Sequence, residues 1–208
     1  CIVTGVWGDV NNDGLPDLYI VGYVNGKPGT PDYLYINKGD YFENQIPDNV
    51  MANDTDHGVQ FADYDQDGDL DLSLAANDPS GSHYLFRNDL VDNRSESIQV
   101  LVLNKDGHQV MAGSEVRVSR AGSDELLGAR LVDTGSGYNS QNSKPVHIAT
   151  LGAEFVDIEV ATMSSQEGKQ TNFRGFTVAS IATSPFKFQF HPGKKCKELL
   201  CGYTMLCP

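Results

Sequence analysis

Apolar and polar positions along this chain follow two patterns. Up to about residue 92, short apolar runs alternate with dense clusters of Asp, Asn and Gly. Leu18 to Val21 and Leu72 to Ala76 each follow such a cluster. A turn rich in Gly, Pro and Ser comes next, and then an aromatic run, DYLYINKG at 32–39 and HYLFRNDL at 83–90. β-Branched and aromatic residues dominate these runs, which favours strands. The recurring unit is strand, polar loop, strand, turn, strand, and it occurs twice. From about Ser95 the pattern changes. SIQVLVLN, SEVRVSR, LLGARLVD, PVHIATLG and EFVDIEVAT alternate apolar and polar side chains, the period-two signature of half-buried strands. Asn104 to Gly107 predicts a hairpin turn. No segment holds a helical period. The expectation is an all-β protein in three segments. Residues 1–94 hold the two strand-loop-strand repeats, 95–190 a second antiparallel β domain of sandwich or barrel type, and 191–208 a Cys-rich tail.

The two polar loops carry the candidate chemistry. They read GDVNNDGLPD at 8–17 and DYDQDGDLD at 63–71. An offset of 54 residues pairs Asp9 with Asp63, Asn11 with Asp65, Asp13 with Asp67, Gly14 with Gly68 and Asp17 with Asp71. Asp and Asn make polar turns by bonding to nearby backbone, so one such loop would prove nothing. A turn does not require the same oxygen-bearing side chains at four matched positions, and a metal site does. Calcium takes six to eight oxygen ligands in a flexible shell. Side chains at loop positions 1, 3, 5 and 9, with the backbone carbonyl of position 7, would supply them. In the first loop these are Asp9, Asn11, Asp13 and Asp17 with the carbonyl of Leu15. In the second they are Asp63, Asp65, Asp67 and Asp71 with the carbonyl of Asp69. Two calcium sites are therefore expected, the second tighter because it has four carboxylates against three. An EF-hand would place Glu at position 12 between two helices, but Ile20 and Leu74 stand there and the flanks are strand-like. Magnesium demands a near-octahedral shell and keeps its waters, which suits these loops less well. A structural role for the ion is expected, because it would relieve repulsion among clustered carboxylates and stabilise the folded state that binds it.

Charge and cysteine usage narrow the class. The chain of 208 residues has a formal net charge of −13. Nucleic acid is an unsuitable partner, since its phosphates need Lys and Arg, and so is an anionic membrane surface. No apolar run approaches the roughly 20 residues of a membrane-crossing helix. Cys1, Cys196, Cys201 and Cys207 are disulfide candidates with three possible pairings. The sequons Asn53-Asp54-Thr55 and Asn93-Arg94-Ser95 offer two glycosylation positions. These features, with Cys and not Met at position 1, lead us to expect a processed, secreted, extracellular chain.

The motif D-x-[ND]-x-D-G-x-x-D between short strands resembles the FG-GAP or VCBS repeats of integrin-type β-propellers, over about residues 1–92. That resemblance implies calcium loops and one blade per repeat. Propellers close with about four to eight blades, so it also implies further blades, from a missing segment or from another chain. The stretches GSEVRVSRAG (113–122) and GARLVDTGSGYNSQNSKPVHIATLG (128–152) resemble the ASPIC/UnbV domain, with Arg130, Gly137, Tyr138, Ser140, Gln141, His147, Leu151 and Gly152 at the family's recognisable positions. The order of the two is similar to that in the cartilage acidic protein family of secreted calcium-binding matrix proteins. Some of its members carry a C-terminal EGF-like module, which the three tail cysteines would begin.

Catalysis is not expected. VDTGSG at 132–137 resembles the Asp-Thr-Gly of aspartic proteases, but that chemistry needs two carboxylates sharing a proton. With one such motif, Asp133 would require a homodimer. There is no G-x-S-x-G elbow and no HExxH. The expected mode of action is binding, to an extracellular protein or a glycan. The polar stretch from Tyr138 to Asn142 is one candidate for a calcium-dependent carbohydrate-binding surface.

Overall fold

A computed structural model describes residues 2–22, 31–51, 56–76, 83–89, 96–104, 106–108, 110–133, 135, 137–138, 140–141, 145–162, 169–178, 186–189 and 204–206. The described chain is all-β apart from one short helix, and two compact units divide it. The first lies within 1–65, 69–92 and 134–143, and the second within 66–68, 93–133 and 144–208.

The first unit holds the two repeats. Strands β1 (Ile2–Gly8), β2 (Asp17–Gly22), β3 (Tyr33–Asn37) and β4 (Phe42–Asn44) form one antiparallel sheet in chain order. A single helical turn, α1 (Asp48–Met51), follows. Strands β5 (Asp56–Ala62), β6 (Asp71–Ala76) and β7 (His83–Phe86) form a second sheet, also antiparallel and in chain order. The polar loops are the β1–β2 and β5–β6 connections, at equivalent ends of the two sheets. Directly opposed residues share a sheet face, so the registers Val6↔Tyr19 and Tyr19↔Leu34 put these side chains together. The registers Phe61↔Leu72 and Leu72↔Phe86 do the same in the second sheet. The two faces meet in one buried cluster, where Val6, Tyr19, Val21 and Ile36 join Val59, Phe61, Leu72 and Leu74. Gly8 lies at this contact. A Cβ there would sit 2.7 Å from the Phe61 ring, so only glycine lets the sheets approach this closely.

The second unit has its own core. Strands β8 (Ser97–Leu103), β9 (Glu115–Arg120), β10 (Leu126–Leu131), β11 (Val146–Ala149), β12 (Phe155–Thr162), β13 (Lys169–Thr177), β14 (Phe186–Gln189) and β15 (Thr204–Leu206) make two sheets, ordered β10-β9-β12-β13 and β11-β8-β14-β15. Alternation fixes the inward faces: Ile98, Val100 and Val102 from β8 meet Val116 and Val118 from β9 and Val156, Ile158 and Val160 from β12.

Two local expectations need correction. Asn104 to Gly107 does turn, closed by the Gly107 amide on the Asn104 carbonyl at 2.9 Å. The hairpin it makes is minimal, one antiparallel bridge Leu103↔Val110 with the Met111 amide on the Val102 carbonyl at 3.0 Å, and it does not pair β8 with β9, which belongs to the other sheet. The sheet containing β8 is also not purely antiparallel, since β14 runs parallel to both β8 and β15. Only a tight turn forces neighbours to be antiparallel, and long connections precede β14 and β15.

Candidate metal centre

The two loops are wound alike. Asn12 and Gly14 adopt left-handed backbone, with φ of 55° and 88°, and Gln66 and Gly68 match them at 61° and 98°. Glycine takes this conformation freely and Asn tolerates it, whereas Gln66 is held there against its preference. The repeat therefore extends from side-chain type to backbone conformation.

The ninth position of each loop is a latch. Asp17 is buried, and its Oδ2 accepts the Val10 amide at 2.9 Å while Oδ1 accepts the Asn37 amide at 2.8 Å. Asp71 repeats this, with Oδ2 accepting the Tyr64 amide at 3.0 Å and Oδ1 the Asn88 amide at 2.8 Å. One carboxylate thus ties the start of its loop to the end of the third strand. The asparagines close the latch from the other side. Asn37 Nδ2 donates to the Pro16 carbonyl at 3.1 Å, and Asn88 Nδ2 to the Leu70 carbonyl at 3.2 Å. Asn88 also reaches the Val10 carbonyl of the first repeat at 2.7 Å. Asn37 and Asn88 escaped the sequence reading. Their signal was the offset of 51 residues between matching positions at the ends of the aromatic runs.

The loops differ in how their remaining ligand-type side chains are engaged. In the first, Asp9 is buried and accepts the amides of Asp13 at 3.0 Å and Gly14 at 2.9 Å. Asn11 bonds to Asp13 through both its amide nitrogen and its oxygen, and the Leu15 amide donates to Asp13 Oδ1 at 2.9 Å. Burial pushes the Asp17 carboxyl above its ordinary range, against its backbone hydrogen bonds, and the neighbouring Asp13 charge adds to the rise. Asp9, Asp13 and Asp17 do not gather into one cluster. Here the first loop is a self-satisfied polar turn, with Leu15 exposed at its end.

In the second loop the carboxylates do converge. Asp63, Asp65 and Asp71 each offer one oxygen, and these oxygens lie within 4.8 Å of one another. Asp65 Oδ1 is buried and accepts no hydrogen bond. Two carboxylate charges at such a distance repel by about 1 kcal/mol in water and about 3 kcal/mol at an effective dielectric of 20. A divalent cation would turn that repulsion into attraction and give the orphaned oxygen a partner, so the donor set fits a hard metal ion. Asp67 and Asp69 lie outside the trio. The Asp69 side chain is buried and its Oδ1 accepts Asn12 Nδ2 at 2.7 Å, a bond between the repeats that the reading of Asp69 as a carbonyl donor missed.

Of the other candidates, Asp133 is exposed at the end of β10. Tyr138 packs against the His57 ring with centroids 5.6 Å apart, and Ser140 Oγ donates to the Val59 carbonyl at 2.9 Å, so part of the polar stretch is anchored to β5. Asn53, Asn93, Cys1, Cys196, Cys201 and Cys207 lie outside the described residues. A cavity of about 680 Å³ opens between the repeats, with Tyr19, Ile36, Phe61 and Phe86 in its walls. The charged groups in its lining, Arg87 and Asp89, pair with each other at 2.6 Å. Of the two, the second loop is where ligand-type chemistry converges.

Residues 9–73 match the family model of the FG-GAP-like repeat. The match runs from the first Asp of the first loop into β6, just past the last Asp of the second, about a third of the chain. This part of the protein is an FG-GAP-like repeat region whose second loop could hold a metal ion. No curated protein matches the chain.

Proposed function

We propose that the protein is a secreted, calcium-binding extracellular chain that acts by binding, in adhesion, matrix assembly or receptor engagement, and not by catalysis. The observation that carries the proposal is the second loop, where Asp63, Asp65 and Asp71 converge and Asp65 Oδ1 is buried without a donor, inside the FG-GAP-like match. Calcium suits this set because its shell of six to eight oxygens accepts carboxylates, carbonyls and waters in irregular geometry. On this reading the ion is structural. The first loop is the second, weaker calcium site. Its backbone is already wound like the other, but Asp9 must give up the amides of Asp13 and Gly14 to turn toward an ion. The repeats are propeller-type blades, and the second unit is an ASPIC/UnbV-like β-sandwich, a reading supported by two sheets around one core. Its partner is an extracellular protein or glycan. The sequons and the four cysteines accord with that compartment.

Thermal unfolding after chelation, with calcium or magnesium titrated back, tests the proposal. Calcium at a hundred times its dissociation constant stabilises the folded state by about 2.7 kcal/mol. We expect a rise in Tm of several degrees with calcium, a smaller one with magnesium, and loss of the larger part in Asp65→Ala. An Asp13→Ala variant should lose only the weaker phase of the titration. Equal curves with and without calcium would leave both loops as polar turns and remove the proposal's basis.

A further inference from the structure

Strand β5 is the outermost strand of its sheet, so one of its edges has no strand beside it among the described residues. Such an edge offers backbone donors and acceptors to any passing strand, and proteins blunt it with Lys, Pro, charge or a cover. Past the irregularity between Asp56 and Gly58, β5 runs in even register to Ala62. It reads Gly-Val-Gln-Phe-Ala there, with no Lys, Pro or charge. The strand's own sequence does not blunt the edge, so its protection comes from a cover.

That cover is distant in sequence. Gly137, Tyr138 and Ser140 lie between β10 and β11 along the chain but belong to the first unit. Ser140 Oγ donates to the Val59 carbonyl at 2.9 Å, and the Tyr138 ring tilts against His57 with centroids 5.6 Å apart. A Cβ on Gly58 would lie 3.4 Å from the Tyr138 carbonyl oxygen, so the two backbones run in contact. Gly137 is the tightest point. Its φ is 74°, and a Cβ there would lie 2.6 Å from the Val59 carbonyl oxygen and would also strike Ser140 Oγ. Only glycine allows both this backbone and this approach. What holds the segment is polar and half exposed: a serine hydroxyl bond and a tyrosine that stays 51% exposed. Segments with few buried apolar contacts open locally before the fold as a whole does.

We propose that Gly137, Tyr138 and Ser140 form a removable cap on the β5 edge, and that the uncapped edge pairs with β5 of a second copy of this chain. An antiparallel pair centred on Val59 suits that partner. It sets Gly58 of one copy opposite Gln60 of the other, and His57 opposite Phe61, and it brings no like charges together. The polar stretch then serves as an edge cap and not as a glycan surface. The inference is independent of calcium and of the compartment, since it rests on a strand edge alone.

Sedimentation velocity of the whole chain over a concentration series tests this, with circular dichroism to check that each variant keeps its β-structure. Gly137→Ala forces the cap off, and Tyr138→Ala with Ser140→Ala removes its contacts without straining the backbone. We expect both to dimerise at concentrations several-fold below any at which the parent chain does. Gly135→Ala should match the parent, since a Cβ there meets nothing within 4 Å. Adding Gln60→Lys to the uncapped variants should return them to monomers, because it puts a charge beside the pairing edge. If Gly137→Ala fails to fold, Tyr138→Ala with Ser140→Ala decides alone. If that variant also fails to fold, the segment is a fixed part of the first unit and the proposal falls. Monomers throughout for a folded, uncapped variant would overturn it. So would dimers of Gly135→Ala, or dimers that survive Gln60→Lys, which would put the contact elsewhere.

Discussion

At the scale of single residues, the two loops show a conformation that the sequence satisfies unevenly. Asn12 and Gly14 suit left-handed backbone, but Gln66 adopts φ of 61° without a side chain that favours it. Leu151 does the same at 50°, with Gly152 at 70°, in the turn closed by the Ala153 amide on the Thr150 carbonyl at 3.0 Å. Two successive positive φ values in a two-residue turn are the setting that Asn-Gly fills best. A left-handed residue with a Cβ costs roughly 1–2 kcal/mol, and Asn recovers part of it. Gln66→Asn and Leu151→Asn should therefore each stabilise the protein by about 0.5–1 kcal/mol. Urea denaturation of each variant, with an unchanged slope, checks this. A midpoint that falls would mean that side-chain contacts, and not backbone strain, fix these positions.

Between elements, the strongest device is the latch made by the ninth loop residue and the asparagine after the third strand. A hydrophobic face alone fixes which side of a strand is inward, but not where its end lies. Asp17 with Asn37, and Asp71 with Asn88, fix that end by joining three chain segments through one carboxylate and one amide. Asn88 adds the bond to Val10 across the repeats. Leaving a buried carbonyl without its donor costs about 1–3 kcal/mol. Asn88→Ala strands two carbonyls and should cost more than Asn37→Ala, which strands one. Chemical denaturation of the two variants gives the order, and a reversed order would show that the inter-repeat bond contributes nothing. Because Asp71 serves both the latch and the metal trio, Asp71→Ala should lower stability with and without calcium. Asp65→Ala should lower stability only when calcium is present, and without calcium should raise it slightly by relieving carboxylate repulsion.

For the molecule as a whole, two cores imply two responses. The metal-type cluster and Trp7 belong to the first unit, and buried His147 to the second. Calcium should raise the midpoint followed by Trp7 fluorescence and leave later-melting β-structure, seen by far-ultraviolet circular dichroism, at its own midpoint. A single shared transition that shifts as one would refute this separation. Acid should act on the second unit. Burial, aided by the Arg130 charge, pushes His147 down to about 3. The unfolded histidine takes up a proton near pH 6.5 and the folded one does not. Stability from this group is thus complete above pH 6.5 and is lost as pH falls toward 3, by at most about 1.4 kcal/mol per pH unit. His147→Gln should flatten that slope by nearly one proton, measured by denaturation at several pH values.

What the sequence alone determined was the repeat, the β class and the loop positions. Each follows from local chemistry: period-two alternation makes strands, and glycine with Asn permits the left-handed loop backbone. Strands β2, β3, β6 and β8–β12 fall where alternation and aromatic runs placed them, because each buries one face against a core. What tertiary structure decided was which loop brings its carboxylates together. Ligand types match in both loops, yet Asp9 turns to backbone amides while Asp63, Asp65 and Asp71 converge. Pairing over long range was equally hidden. The parallel seat of β14, the placing of β9 in the sheet away from β8 and the Asp69–Asn12 bond between repeats join residues that no local pattern relates. Local sequence sets what each side chain can bond to, and only the folded chain sets which partners come within reach.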